Sequence, residues 1–371
     1  MNLDRILGQG HIKERIYDSI QKKNFPQSKI LVDKDGYGGL NFAIEIAREL
    51  LNQKNSFSGD VLDHPDLHFS FPTFASVKDT ENLYAEWISF VKRFPFSDFQ
   101  KWSTFIGNTT SQGSIKVPEI DKIQKKAVLK SFLGGNKVFI LWGSETMMPQ
   151  TSNKLLKILE EPPIDTYFIL ITNSLQDLLP TIISRCQISN LGPVDHEEHK
   201  RFLESLVSDI DCDLIVKSSR GSISRALNYI DEDSSSISHE QNFIDCLRFA
   251  FLAKKSKKAV LDLTKWSERI ASNSREQQKE FLGFCSFLIR EAMLVSYRSE
   301  NLTSFVSNSD FKIGKLSPFV HSRNLIEIID LIEDSHYSIS RNVNSKIVFT
   351  SFAIKMTKLI NTPEDLSLIH I

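Results

Sequence analysis

The sequence predicts an α/β core built on a parallel sheet, followed by a small group of short helices and an all-helical C-terminal domain. Three observations carry this. The stretch Ile30 to Leu50, "ILVDKDGYGGLNFAIEIAREL", passes from an apolar strand through glycines into a helix with apolar Phe42, Ile46 and Leu50. The apolar runs "NKVFILW" and "TYFILIT" alternate with helical patterns, as strands of a sheet covered on both faces do. From about Pro193 the pattern turns all-helical.

Each element has its own signal. "GQGHIKERIYDSIQKKNF" is apolar at Ile12, Ile16 and Ile20, the spacing of a surface helix. The strand–glycine–helix unit comes next. Residues from about 63 to 110 are crowded with Tyr84, Trp87, Phe90, Phe94, Phe96, Phe99, Trp102 and Phe105, and punctuated by Pro72 and Pro95. They read as an insertion of short helices packed on the domain by its aromatic side. "SIKVPEIDKIQKKAVLKSF" predicts a short strand and then a helix with Pro118 in its first turn. "QTSNKLLKILEEPP" is a helix that Pro162 and Pro163 stop, and "DLLPTIISRCQISNL" a short helix and strand. The core therefore spans 1–192, and short helices occupy 193–232. The polar, acidic, serine-rich "DEDSSSISHE" suits a linker, and long helices fill 240–371.

Composition narrows the function classes. The chain has 371 residues, enough for two or three domains, at 41% hydrophobic and 25% charged. Its formal charge of -1 leaves any nucleic-acid contact to a local basic surface and argues against a bare DNA-binding protein. Cys186, Cys212, Cys246 and Cys285 form no C-x-x-C pair, so a cysteine zinc site is not expected, and such sparse cysteines fit a reducing compartment. "MNLDRILGQG" has no apolar signal region, and no run of about 18 apolar residues exists. The expected address is cytoplasmic, with no membrane partner.

The glycine turn has the layout of a phosphate-binding loop, which needs G-x-x-x-x-G-K-[ST]. Here Asp33 stands at the first glycine, Gly36 and Gly38 follow, Gly39 replaces the lysine and Leu40 the hydroxyl residue. The next strand, "KVFIL", should end in carboxylates that hold magnesium. It ends in Trp142 and Gly143, with Glu145 just beyond as a solvated charge at a helix start. Two independent losses predict a chain that does not hydrolyse ATP. The glycines then serve as a rigid turn through their backbone freedom.

"NKLLKILEEPP" followed by "FILITNSLQDLLPTIISRCQ" resembles the core signature of clamp-loader subunits of the AAA+ class. "ILGQGHIK", "HPDLH" and "RNVNSKIVFTSF" extend the resemblance over most of the chain, while the aromatic insertion departs from it. The resemblance implies an AAA+ parallel-sheet core, a small helical lid, and a helical collar that holds subunits together. It places a trans-acting arginine finger on Arg185, with Ser184 beside it, reaching the γ-phosphate of ATP bound by a neighbour. A planar, always-charged guanidinium suits that task; a structural arginine paired with an acidic neighbour is the alternative. Cys186 has no evident base partner and reads as a small buried residue. Arg225 sits where the lid carries a sensor arginine, and Asn173 where a sensor polar residue follows a strand. Without a nucleotide, both read equally as plain polar residues. For DNA, the resemblance points to helix N-termini along the duplex backbone, here Thr151, Ser152 and Lys154, with an N-cap as the equal alternative for Thr151 or Ser152. Lys122, Lys125, Lys126 and Lys130 read as a solvated face, and Lys254 to Lys258 as a loop.

The function expected is a non-catalytic clamp-loader subunit that completes the ATP site next door and helps load the sliding clamp. No cofactor of its own is expected; ATP and magnesium belong to the neighbour. The expected partners are the gamma/tau ATPase subunits, the delta subunit, primer-template DNA and, indirectly, the clamp. The rival is an active AAA+ ATPase, either an ATP-binding clamp-loader subunit or a helicase loader. It would need Gly39 and Leu40 to replace a lysine and a hydroxyl.

Overall fold

A computed structural model describes residues 6–54, 57–74, 80–107, 113–207, 212–230, 235–297, 303, 305, 307 and 311–363. In chain order the core runs α1 (Gly10–Gln21), β1 (Ser28–Val32), α2 (Gly39–Asn52), β2 (Leu67–Ser70), α3 (Tyr84–Arg93) and α4 (Phe99–Phe105). It continues α5 (Val117–Val128), β3 (Lys137–Trp142), α6 (Pro149–Glu160), β4 (Thr166–Thr172), α7 (Pro180–Ile183) and β5 (Gln187–Asn190). The strands form one parallel sheet in the order β2-β3-β4-β1-β5. Alternate residues along each strand feed two apolar layers. Leu31, Val138, Ile140, Ile169 and Ile171 pack with α1 to α4 on one face, while Ile30, Phe139, Leu141, Phe168 and Leu170 pack with α5 to α7 on the other. The central strands β3 and β4 are covered on both faces and are apolar along nearly their whole length, whereas the edge strand β5, Gln-Ile-Ser-Asn, is largely exposed and polar.

The aromatic stretch corrects the sequence reading. It contains β2, an edge strand paired with β3 in register Leu67 to Val138, so it is no appended insertion. Trp87 and Phe90 on α3 and Trp102 on α4 are fully buried, and they pack with Phe69 and Phe71 into the main core. A four-residue strand among so many aromatics carries too little alternation to stand out. The far end of the expected insertion, residues 108–110, lies outside the described residues. The strand expected at "SIKV" is reduced to one bridge between Ser114 and Thr73.

Residues 1–230 form one compact unit. Its small helices are α8 (His196–Glu204), α9 (Cys212–Ser219) and α10 (Ile223–Ile230), packed around Leu203, Cys212, Val216 and Ala226. Residues 231–371 form a second unit. The first part of the expected linker, 231–234, lies outside the described residues. The remainder is helical, because α11 (Ser235–Leu252) begins there. Helices α12 (Lys257–Ala271), α13 (Arg275–Ser296), α14 (Leu325–Ser340) and α15 (Ser345–Ile360) complete this unit. The longest of them, α13, buries Phe281, Leu282, Cys285, Leu288, Ile289 and Ala292. Local signals set the ends: Ser274 and Gln277 make a capping box on α13, and Asn344 accepts the Lys346 and Ile347 N–H groups at the start of α15.

Candidate functional site

The loop after β1 keeps the shape of a phosphate site and fills it from within. Asp33 still belongs to the sheet, donating its N–H to the Thr172 carbonyl at 2.8 Å. The chain then turns through Gly36 and Gly38 at φ of 76° and 98°, conformations that glycine adopts without strain, and α2 starts at Gly39. The first N–H groups of such a helix have no intrahelical partner and face the place where a phosphate would sit. Here the Asp33 side chain sits there. Its Oδ1 accepts the Tyr37 N–H at 2.5 Å and its Oδ2 the Gly39 N–H at 2.7 Å. Burial pushes this carboxyl above the ordinary range, and the loop N–H groups of Tyr37, Gly39 and Gly38 pull it back. Both oxygens act as acceptors, which is the pattern of the ionised form.

Neighbouring positions are fitted to that arrangement. A Cβ on Gly39 would lie 2.8 Å from Asp33 Oδ2, so the motif's lysine and Asp33 exclude each other. Leu40, at the hydroxyl position, is buried in the core. From the lid, Ser222 Oγ donates to the Asp35 carbonyl at 2.5 Å and the Ser224 N–H to the Gly36 carbonyl at 3.1 Å. Arg225 donates to the Asp35 carboxylate at 2.5 Å, and the Tyr37 hydroxyl joins it at 3.1 Å. The Tyr37 phenol is pushed up to about 12 by burial and by Asp35. A Cβ on Gly36 would lie 2.5 Å from Ser224 Cβ, and one on Gly38 would lie 3.1 Å from the Phe96 ring. Arg225, the expected sensor arginine, therefore meets a carboxylate of its own chain.

Trp142 stands where a metal-binding carboxylate is expected, and its ring packs at 5.1 Å from Trp87, 6.4 Å from Phe90 and 6.2 Å from Phe99. Glu145 is not the solvated charge expected of it. It is half-buried, accepts the Asn173 N–H at 3.4 Å, and burial pushes its carboxyl up. Among the described residues, no group of three or more His, Cys, Asp or Glu could hold a metal ion, and no helix is long and apolar enough to cross a membrane.

Arg185 follows α7 at the turn into β5. Its guanidinium donates to the Thr181 carbonyl at 2.8 Å and to Ser184 Oγ at 3.4 Å, and pairs with Glu160 at the end of α6. The side chain is 33% exposed and Glu160 47%, so this is a surface ion pair. Ser184 is exposed and donates to the Thr181 carbonyl. Cys186 is half-buried, its thiol pushed up to about 12 by burial, which suits an inert packing residue.

The residues expected at DNA need correcting. Thr151 and Ser152 are buried at 2% and 3%, so neither hydroxyl is presented to a phosphate. Neither caps α6 either; Met148 holds that position with no side-chain bond. Pro149 starts the helix and moves both residues a turn inward. Lys154 pairs with Asp121 on α5. Of the α5 lysines, Lys122 pairs with Glu81 at 3.3 Å, while Lys125, Lys126 and the following Lys130 are exposed.

Sequence reasoning missed two acidic residues. In the phosphate-loop pattern Asp33 counts only as a missing glycine; an aspartate opening a run of loop amides is itself a signal of an internal acceptor. Asp66, in "HPDLH", accepts the Phe132 and Leu133 N–H groups at 2.7 and 3.0 Å and fixes the loop after α5.

The chain thus joins a five-stranded parallel sheet with a glycine turn after β1, small helices bonded to that turn, and a second, helical unit. The family described as DNA polymerase III, delta subunit, matches residues 8–195, and the chain belongs to that family. It is 26% identical over 214 residues to the DNA polymerase III subunit delta' of Bacillus subtilis, covering 54% of this chain and 53% of that relative. To the subunit delta' of Haemophilus influenzae it is 38% identical over 91 residues, covering 24% of this chain and 28% of that one. The matches thus span about half or less of these relatives. Among solved structures, a DNA polymerase III gamma subunit-related protein of Thermotoga maritima is similar at 15% identity and TM-score 0.39, covering 93% of this chain and 99% of that one.

Proposed function

We propose that the chain is a non-catalytic subunit of the DNA polymerase III clamp loader, which completes the ATP site of a neighbouring subunit with Arg185. The observation that carries this reading is the contrast between two places in one domain. The chain's own loop is filled by Asp33, while a guanidinium stands exposed at the end of α7. The Arg185–Glu160 pair is worth no more than about 1 kcal/mol at the surface, so exchanging it for a triphosphate is cheap. The nucleotide and magnesium would belong to gamma/tau-type neighbours. A delta subunit, primer-template DNA and, through the complex, the sliding clamp would be the further partners. Contact with the duplex would fall to backbone amides at the start of α6 and to exposed lysines such as Lys125, not to the Thr151 and Ser152 hydroxyls.

The test is DNA-stimulated ATP hydrolysis by the reconstituted loader. Arg185→Ala should leave folding and assembly intact and lower the rate about tenfold or more, since arginine fingers contribute on the order of 10³. Arg185→Lys should rescue poorly, because a point charge lacks the planar fork. An unchanged rate with the alanine variant would make Arg185 a structural residue.

A further inference from the structure

We propose that Asp33 is a resident substitute for a bound phosphate: its carboxylate fills the amide nest after β1 and, together with Asp35, ties the lid to the loop with no nucleotide present. Asp33 acts within the chain's own loop, independently of the role proposed for Arg185.

The geometry supports it at each contact. The two oxygens of Asp33 take the N–H groups of Tyr37 and Gly39, the donors that a phosphate oxygen would use. The carboxylate is held in place by the sheet, through the Asp33 N–H on Thr172. Being part of the chain, it competes with any free phosphate at a high effective concentration. Gly39 is the space it occupies, since a Cβ there would meet Oδ2 at 2.8 Å. With the nest satisfied, the next residues of the loop face the lid. Asp35 receives Arg225, and the Asp35 and Gly36 carbonyls receive Ser222 Oγ and the Ser224 N–H. An arginine that would read a phosphate in a nucleotide-binding chain reads an aspartate of the same loop. The whole staple is built from side chains and amides already present.

Amide hydrogen exchange on the full chain tests this, followed at residues 36–40 and 222–226, because exchange reports local opening. In the unaltered protein, millimolar Mg-ATP or Mg-ADP should leave both segments unchanged; nucleotide-dependent protection of either would overturn the proposal. Asp33→Asn keeps the shape and removes the charge. It should speed exchange at Tyr37 and Gly39 about tenfold or more, the scale of a lost charge-assisted hydrogen bond, with the lid segment following. Wild-type exchange in that variant would overturn it. Asp35→Asn separates the two contacts and covers the case in which Asp33→Asn fails to fold. It should loosen 222–226 and leave the Tyr37 and Gly39 amides protected; a lid as protected as before would overturn the tie between loop and lid.

Discussion

Trp87→Ala measures whether the aromatic stretch is part of the domain core. Trp87 is fully buried, with ring centroids of Phe71 at 4.2 Å, Trp142 at 5.1 Å, Trp102 at 5.2 Å, Phe90 at 5.8 Å and Phe69 at 5.9 Å. Truncating a buried tryptophan costs about 3–5 kcal/mol, and loss of favourable ring geometry adds to the upper end of that range. Against a domain stability of about 5–15 kcal/mol, the change removes at least about a fifth. With a denaturant dependence of about 2–3 kcal/mol per M urea, the midpoint of the first unit should fall by about 1–2.5 M. Tryptophan fluorescence follows it, since Trp102 and Trp142 remain in that unit and Trp266 reports the other. The control is Trp87→Phe. It keeps a ring and removes an indole N–H that has no hydrogen-bond partner, so its midpoint should move much less than that of the alanine variant. If Trp87→Ala shifts the midpoint by only a few tenths of a molar, α3 and α4 are a dispensable cover, and the reasoning from burial fails.

Two other outcomes follow from the same geometry. Gly39→Lys restores the motif's lysine but drives its Cβ against Asp33; it should give no ATP binding by calorimetry and a stability loss of about 1–3 kcal/mol, whereas ATP binding would show that the loop is only one residue from function. His68, between Phe139 and the α5 lysine Lys126, has its imidazole pushed down to about 4, first by burial and then by Lys126. Between pH 6.5 and about 4 the unfolded chain therefore binds a proton that the folded chain refuses, so stability should fall with falling pH in that window, by up to about 3 kcal/mol, and His68→Gln should flatten that slope; equal slopes in the two proteins would refute it.

How much could be read from the chain depended on the length of each signal. The buried strands "NKVFILW" and "TYFILIT" are long and apolar, and they became β3 and β4. Helices with periodic apolar faces and clear stops, such as α6 before Pro162, were equally legible. The strand "LHFS" was not, because four residues hold two alternations and aromatic neighbours hide them. The loop's lost residues were visible at Asp33, Gly39 and Leu40. What replaced them was not, because the partners are far apart in sequence: Asp35 meets Arg225, and Trp142 meets Trp87. Thr151 and Ser152 show the opposite error. Their residue types suit a helix start, but Pro149 begins the helix, and burial then decides what their hydroxyls can reach.

The residues at the loop after β1 constrain one another, and that bears on how the chain can change. At the loop, Asp33 occupies the volume that a side chain at position 39 would need, so the lysine cannot return while the carboxylate remains. Removing Asp33 first takes the acceptor away from the Tyr37 and Gly39 N–H groups, at a cost of about 1–3 kcal/mol for a buried donor. At the end of β3, Trp142 is wedged among Trp87, Phe90 and Phe99, so a carboxylate at that position would be a charge in an apolar cluster. Each reversion is unfavourable alone, and each depends on others that are also unfavourable alone. A surface arginine at the end of α7 is under no such constraint, since its partner Glu160 is half-exposed and its side chain fills no core volume. The domain thus holds stability in the loop after β1 and in the cluster around Trp142, while the edge that carries Arg185 is a half-exposed surface whose residues can change without disturbing the core.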